Sequence, residues 1–357
     1  MIKSLLFRRA YHGQRQVCRI MHSCGNYSKA AIGAMGLERS FEQGYRSSSS
    51  RQLSTSSRQK KALVLGSSGA LGSAVSRHLS QNLNMKVLGA DVAEELPTEL
   101  TDEWNLDGFI RLKENADLPE LTTDLINGVH NYLQEIDTDG LDPRTGNDLS
   151  GLDCIVVASG GWEGDPPLVP RDKQSMLPDE QGAFLTEAAQ SYTESVMRMR
   201  KMNLDPVIAA GFVAQHMCCD VNPLVVVMGA MAALSPTPGM VGYGLAKSST
   251  HHLVKTLGVM NGNTLESKVM RGRGMDAQPP HLFPFITVVG ILPTTIDTPS
   301  NRRAMPTGNF DQWTKPQSIA LEIGSWVESP ALRPHSGSLV RVYASPDGEG
   351  SVFELVY

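Results

Sequence analysis

The sequence predicts a doubly wound α/β fold: a parallel sheet covered by helices on both faces, in a single domain with surface insertions. Three observations carry this. Short apolar runs alternate with helix-length segments from Lys60 onward, a glycine-rich turn follows the first run, and a Tyr-x-x-x-Lys pair follows the fifth. At 357 residues and 41% hydrophobic content the chain can bury a sizeable core.

Taken in order, "KALVLGSS" reads as a buried first strand, "LGSAVSRHLSQNL" as the helix after it, and "MKVLGADV" as the second strand. "GFIRLKE" is a third strand before the helical "LPELTTDLINGVHNYLQEI". "GLDCIVVASGG" and "NPLVVVMGAMAAL" are the fourth and fifth strands, with a long helical segment from about Ala183 to His216 between them. Pro206 inside that segment leaves the Met202 carbonyl without its helical donor and predicts a kink there. The helix carrying Tyr243 runs to about Val259, "FPFITVVGILP" is the sixth strand, and "SGSLVRVYA" is the last. Three turn-rich stretches read as insertions: residues 141–151, the Pro-rich 163–182 beside the expected ligand crevice, and 260–283.

Charge divides the chain. Residues 1–58 hold ten of the 32 lysines and arginines but two of the 37 acids, leaving 22 against 35, a net of −13, in the remainder. A body that acidic repels phosphate backbones, which argues against nucleic-acid binding. The head is Arg- and Ser-rich, acid-poor and too short in its apolar runs to span a membrane, so it reads as an organelle targeting peptide. The mitochondrial matrix is the expected address, with a plastid or a plain cytosolic tail as alternatives. The catalytic domain is then residues 59–357. Cys18, Cys24, Cys154, Cys218 and Cys219 form no spaced framework and read as reduced thiols, and no carboxylate/histidine cluster has metal-ligand spacing.

The chemistry sits in four places. Gly66, Gly69 and Gly72 occupy a strand-to-helix turn, where glycine lets the backbone approach a pyrophosphate at the helix N-terminus. In that Rossmann-type context the whole loop, Gly66, Ser67, Ser68, Gly69, Ala70, Leu71 and Gly72, is the expected dinucleotide cradle. Asp91 ends the second strand nineteen residues past Gly72; a carboxylate there accepts ribose hydroxyls and repels a 2′-phosphate, favouring NADH over a weaker NADPH. An ordinary strand-end aspartate is the alternative. Tyr243 and Lys247 lie four apart on one helix face, so one ligand can meet both. The lysine is expected to hold the nicotinamide ribose and, as a neighbouring ammonium, to bring the tyrosine's pKa down from about 10. The position thirteen residues before Tyr243, where such sites usually keep a serine, is Ala230.

These motifs resemble the short-chain dehydrogenase/reductase family, and within it the branch that reduces quinonoid dihydropterins. The resemblance runs from about Lys60 to the C-terminus and rests on "VLGSSGALGS", "ASGGW", "GAMAALSPTPGMVGYGLAK", "LPTTIDTPSNRRAMP", "FDQW" and "SGSLVRV". It implies an NADH-dependent reductase regenerating a tetrahydropterin such as tetrahydrobiopterin, with Tyr243 delivering the proton. That branch resembles this chain in having alanine at position 230; its electron-poor ring draws a hydride without a hydroxyl polarising it. The resemblance also sets Trp162 beside the pterin, Ser159, Gly160 and Gly161 beside the adenosine-side ribose, and Pro293 with Thr294, Thr295 and on to Thr298 over the carboxamide. Asn203 matches the family's helix asparagine, whereas His251 and His252 read as packing or solvated residues. Pairing of the 183–216 and Tyr243 helices across a two-fold axis implies a homodimer. A general carbonyl or quinone reductase, a cofactor-binding protein without turnover and a scaffold using the acidic surface stay open as alternatives, the last two opposed by the intact Tyr243, Lys247 and Trp162.

Overall fold

A computed structural model describes residues 58–92, 106–136, 140, 149–166, 178–260, 286–346 and 350–356. Residues 1–57 of the expected leader lie outside the described residues, whereas Arg58, counted with it, donates to Asp153 Oδ1 at 2.6 Å; most of the 141–151 and 260–283 insertions and residues 167–177 of the Pro-rich one also lie outside.

Eight strands form one sheet: β1 (Lys61–Leu65), β2 (Lys86–Asp91), β3 (Gly108–Arg111), β4 (Cys154–Val157), β5 (Leu224–Met228), β6 (Thr287–Pro293), β7 (Ser338–Ala344) and β8 (Ser351–Val356). Their spatial order is β3-β2-β1-β4-β5-β6-β7-β8. Every neighbouring pair is parallel except β7 with β8, where Leu339 faces Val356 in an antiparallel register. The sheet extends past "SGSLVRVYA", the last strand expected from the sequence: β8 adds an antiparallel edge strand to it. The strand order reverses between β1 and β4, so the chains leaving those two strands diverge and open a crevice at the C-terminal edge.

Alternation along each strand feeds two cores, because successive side chains point to opposite faces. Leu63, Leu65, Ile155, Val157, Val225 and Val227 join one cluster; Ala62, Val64, Cys154, Val156, Val226 and Met228 join the other. The first is covered by α2 (Leu118–Ile136), α4 (Asp205–Met217) and α5 (Val241–Met260), with α3 (Pro178–Asn203) packed against α5. The second is covered by α1 (Ala70–Arg77), which runs on as a π-helical turn over His78–Asn82, and by α7 (Pro316–Glu328). A short α6 (Pro299–Ala304) starts where the Thr298 hydroxyl accepts the Asn301 N–H, with Pro299 at the first helical position.

The long helical segment expected from about Ala183 to His216 is two helices. It starts earlier, at Pro178, so the end of the Pro-rich insertion is helical, and it breaks at Leu204. Pro206 has no N–H to donate back, and Asp205 opens α4 with both carboxylate oxygens held by Arg200 at 3.2 Å. No helix among the described residues is long and apolar enough to cross a membrane.

Trp326 on α7 is 2% exposed in the second core, while Leu321 on the same helix is 59% exposed. Trp326→Ala is therefore expected to cost about 3–5 kcal/mol of unfolding free energy in chemical denaturation. Leu321→Ala should stay within about 0.5 kcal/mol of the parent.

Candidate active site

The glycine turn fills the space between the diverging strands, and its three glycines are there for different reasons. Gly66 has φ +78°, and a Cβ on it would lie 2.5 Å from the Ser159 amide nitrogen at the exit of β4. A Cβ on Gly72 would lie 1.9 Å from the Gly66 carbonyl oxygen, so α1 starts flush against the turn. Gly69 meets nothing nearer than that same oxygen at 3.4 Å, which leaves its outer side open to a ligand. Gly69 caps α1 without a side-chain bond, and the first turn of α1 has no acid, so N–H groups are free toward the crevice. Ser67 and Leu71 are buried inward, so only their backbone faces the turn; Ala70 begins the helix.

Asp91 ends β2 beside this turn. Its Oδ2 accepts the Ser68 N–H at 2.8 Å and the Ser68 hydroxyl, and its Oδ1 accepts the Val92 N–H at 2.8 Å. The carboxylate expected to read a ribose thus also ties down the loop.

Across the crevice, Ser159 carries a buried hydroxyl with no partner, and Gly160 turns the chain at φ +142°. A Cβ on Gly160 would stand 2.8 Å from Asn203 Oδ1 and 3.3 Å from Lys247 Nζ. The buried Asn203 amide clamps the next residue: Oδ1 accepts the Gly161 N–H at 3.2 Å, and Nδ2 donates to the Gly161 carbonyl at 3.0 Å and to the Met199 carbonyl at 3.0 Å. Trp162 follows, 46% exposed, its indole N–H donating to Met240 Sδ at 2.7 Å. Pro293 ends β6 on the same edge of the sheet; the Thr294 N–H bonds the Val342 carbonyl, and the Thr295 carbonyl accepts the Thr314 N–H.

Tyr243, Lys247 and His251 lie along one face of α5. Lys247 Nζ donates to the Met228 carbonyl at 2.8 Å, and His251 Nε2 accepts the Ala230 N–H at 3.1 Å, so both side chains grip the end of β5. Burial lowers Lys247 to about 8 and raises the Tyr243 phenol to about 12. The sequence-based expectation that the ammonium brings the tyrosine down is corrected here. Desolvation of the phenolate decides its pKa, and the lysine is committed to a carbonyl. His251, expected to be a packing or solvated residue, is a buried, hydrogen-bonded one. Burial first, then Lys247 and Lys255, hold it down at about 4, so it is neutral and can accept from Ala230. His252 is exposed. The one signal for His251 in the sequence is its four-residue spacing from Lys247. Among the described residues no group of His, Cys, Asp or Glu is arranged to hold a metal.

These shifts predict a pH signature in stability. Lys247 falls from 10.5 unfolded to about 8 folded, so its contribution is complete above 10.5 and is lost as pH falls to about 8. Tyr243 rises from 10.0 to about 12, so its contribution is complete below 10.0 and is lost as pH climbs to about 12. Melting temperature, measured against Lys247→Met, should rise from pH 8 to 10; no difference in slope between the two proteins would refute the burial of that ammonium.

No protein-family model matches the chain. Among solved structures it is similar to a short chain dehydrogenase family protein from Francisella tularensis, at 19% identity and a TM-score of 0.48, covering 80% of this chain and 97% of that one. Among curated proteins it is similar to one named dihydropteridine reductase from Dictyostelium discoideum, 27% identical over 282 residues. Those residues span 79% of this chain and 94% of that protein, so the resemblance carried by the motifs extends over nearly all of the relative's length.

Proposed function

We propose that this chain is an NADH-dependent reductase of quinonoid dihydropterins, returning them to the tetrahydropterin. The observation that carries the reading is Ala230 at the end of β5, where a carbonyl reductase would place a hydroxyl, beside Tyr243 and Lys247. The similarity to a dihydropteridine reductase supports the pterin as substrate class. A dinucleotide fits the residues present: Gly69 leaves the loop open, α1 offers free N–H groups, Ser159 has an unspent hydroxyl, and Asp91 stands at the ribose end.

Bound NADH supplies the hydride. The chain's own residues supply the proton and the placement. With its phenol at about 12, Tyr243 holds its proton at Oη throughout the neutral range, as a donor to a ring nitrogen must before transfer. Lys247 is still mostly charged at neutral pH. Its Nζ is anchored on Met228, and its remaining donors would hold the nicotinamide ribose. His251 holds the Ala230 N–H and so fixes the floor of the site without adding charge. Trp162 gives an aromatic face suited to a flat heterocycle.

Freshly generated quinonoid dihydropterin should drive NADH oxidation faster than simple quinones do, with a lower KM for NADH than for NADPH. Faster turnover of the quinones would favour a general quinone reductase instead. Tyr243→Phe keeps the ring and removes the proton, so turnover should fall about a hundredfold with NADH binding retained.

The same reading includes a homodimer and a mitochondrial address. Leu185, Met197, Phe212 and Leu245 expose apolar side chains on α3, α4 and α5, where a two-fold partner would pair them. Removing residues 1–57, so that Arg58 keeps its bond to the buried Asp153, should leave a dimer of normal turnover that no longer enters mitochondria. A monomer, or a truncated chain still imported, would contradict the corresponding half.

A further inference from the structure

Beyond β4 the chain does not run free across the crevice; it is fastened at three successive places. Gly161 is held by Asn203. Two residues on, Glu163 reaches α3, where its Oε1 accepts the hydroxyl of the buried Ser195 at 3.2 Å and Arg198 Nη2 at 2.7 Å, while its Oε2 accepts Arg198 Nε at 3.3 Å. Two further on, Asp165 reaches α5. Its N–H donates to the Gly239 carbonyl at 2.8 Å, and both carboxylate oxygens accept the Val241 N–H at 2.9 Å.

Val241 is the first residue of α5 and stands two before Tyr243. The helix has no acid in its own first turn, so its N-terminal cap comes from a carboxylate 76 residues away in sequence. The two anchoring helices also touch each other here: a Cβ on Gly242 would lie 2.9 Å from Val196 Cα. Glu163 and Asp165 therefore grip α3 and α5 where these helices cross. Between the fastenings sits Trp162, half exposed, with Met240 as its hydrogen-bond partner. Three anchors within five residues are more than a solvent loop needs, and the side chain they present is a large aromatic left half in solvent.

We propose that Asp165, assisted by Glu163, is a positioning residue of the substrate site: it locks Trp162 to the N-terminal end of the Tyr243 helix, so that stacking face and proton donor move as one body. This rests on the pterin reading for the identity of the stacked ring. A plain helix cap would steady α5 and, with it, Tyr243 and Lys247 alike. A positioning residue acts through Trp162 and spares the dinucleotide.

The test uses the full chain and four variants: Asp165→Ala, Asp165→Asn, which keeps a capping acceptor, Trp162→Phe, and Trp162→Phe combined with Asp165→Ala. Asp165→Ala should raise KM for quinonoid dihydropterin about tenfold, the worth of a well-placed aromatic contact, with the Kd for NADH within about twofold of the parent. Asp165→Asn should restore most of the loss. In the Trp162→Phe background, Asp165→Ala should add little, because the two act as one unit. Additive losses, or equal weakening of NADH and pterin, would reduce Asp165 to a structural cap. A second readout does not depend on turnover: acrylamide quenching of Trp162, taken as the difference between proteins with and without that residue, should rise when Asp165 is removed. Should the parent protein fail to reduce the dihydropterin, the pterin reading falls while quenching still decides the tether; unchanged quenching in Asp165→Ala overturns it.

Discussion

The contact between the turn after β1 and the chain leaving β4 is the constraint on which the rest of the site depends. These strands are neighbours whose continuations diverge, so the sheet must leave a gap at its C-terminal edge, and both segments must pass through it. They pass so closely that Gly66 has no room for a side chain, and α1 packs so closely on the same turn that Gly72 has none either. Backbone fills the gap, and backbone N–H groups at the start of α1 face outward from it. A crevice lined by backbone follows from packing as much as from the identity of any one side chain.

The second wall is built by helix α5 against the end of β5. Two rungs join them, Lys247 to the Met228 carbonyl and His251 to the Ala230 N–H, and they differ in kind. A charged donor on a carbonyl keeps the ammonium from being orphaned in a buried place, where its desolvation would otherwise be uncompensated. A neutral imidazole accepting an amide proton satisfies the strand end without placing a second cation beside the first. Asn203 then links this wall to the β4 exit, and Thr250 donates back to the Asn203 carbonyl, so the helices and the loop share one polar network.

How much of this the sequence discloses depends on whether a feature is local. Strands buried on both faces announce themselves as unbroken apolar runs, as in "LVVVM" of β5, and the glycine turn and Tyr243 with Lys247 are visible by spacing alone. The break at Leu204 is legible from Pro206. β8 is not, because "SVFELV" is separated from β7 by only six residues, outside the strand–helix alternation that identifies the other strands. The stripe Ile319, Ile323, Trp326 and Val327 of α7 has helical spacing, yet nothing in that pattern says which face of the sheet it covers. Tertiary hydrogen bonds are the hardest. The direction of the Tyr243 shift, the His251 bond and the Asp165 cap all depend on burial or on partners many residues away, and no local pattern encodes them.

The antiparallel β8 has a consequence for what the molecule shows to other chains. Without it, β7 would end the sheet as a bare parallel edge, with the apolar Leu339, Val340 and Val342 behind an unpaired row of amides and carbonyls. Such an edge is a template for a foreign strand. β8 pairs with that row from Leu339 to Ala344 and turns outward an ion pair of Arg341 with Glu354, a charged cross-strand rung. The hairpin acts as a selvedge: it closes the β7 row and carries the border of the sheet one strand further. Strand addition onto β7 is thereby closed off, and whatever meets this side of the sheet meets β8 and its charged rung first.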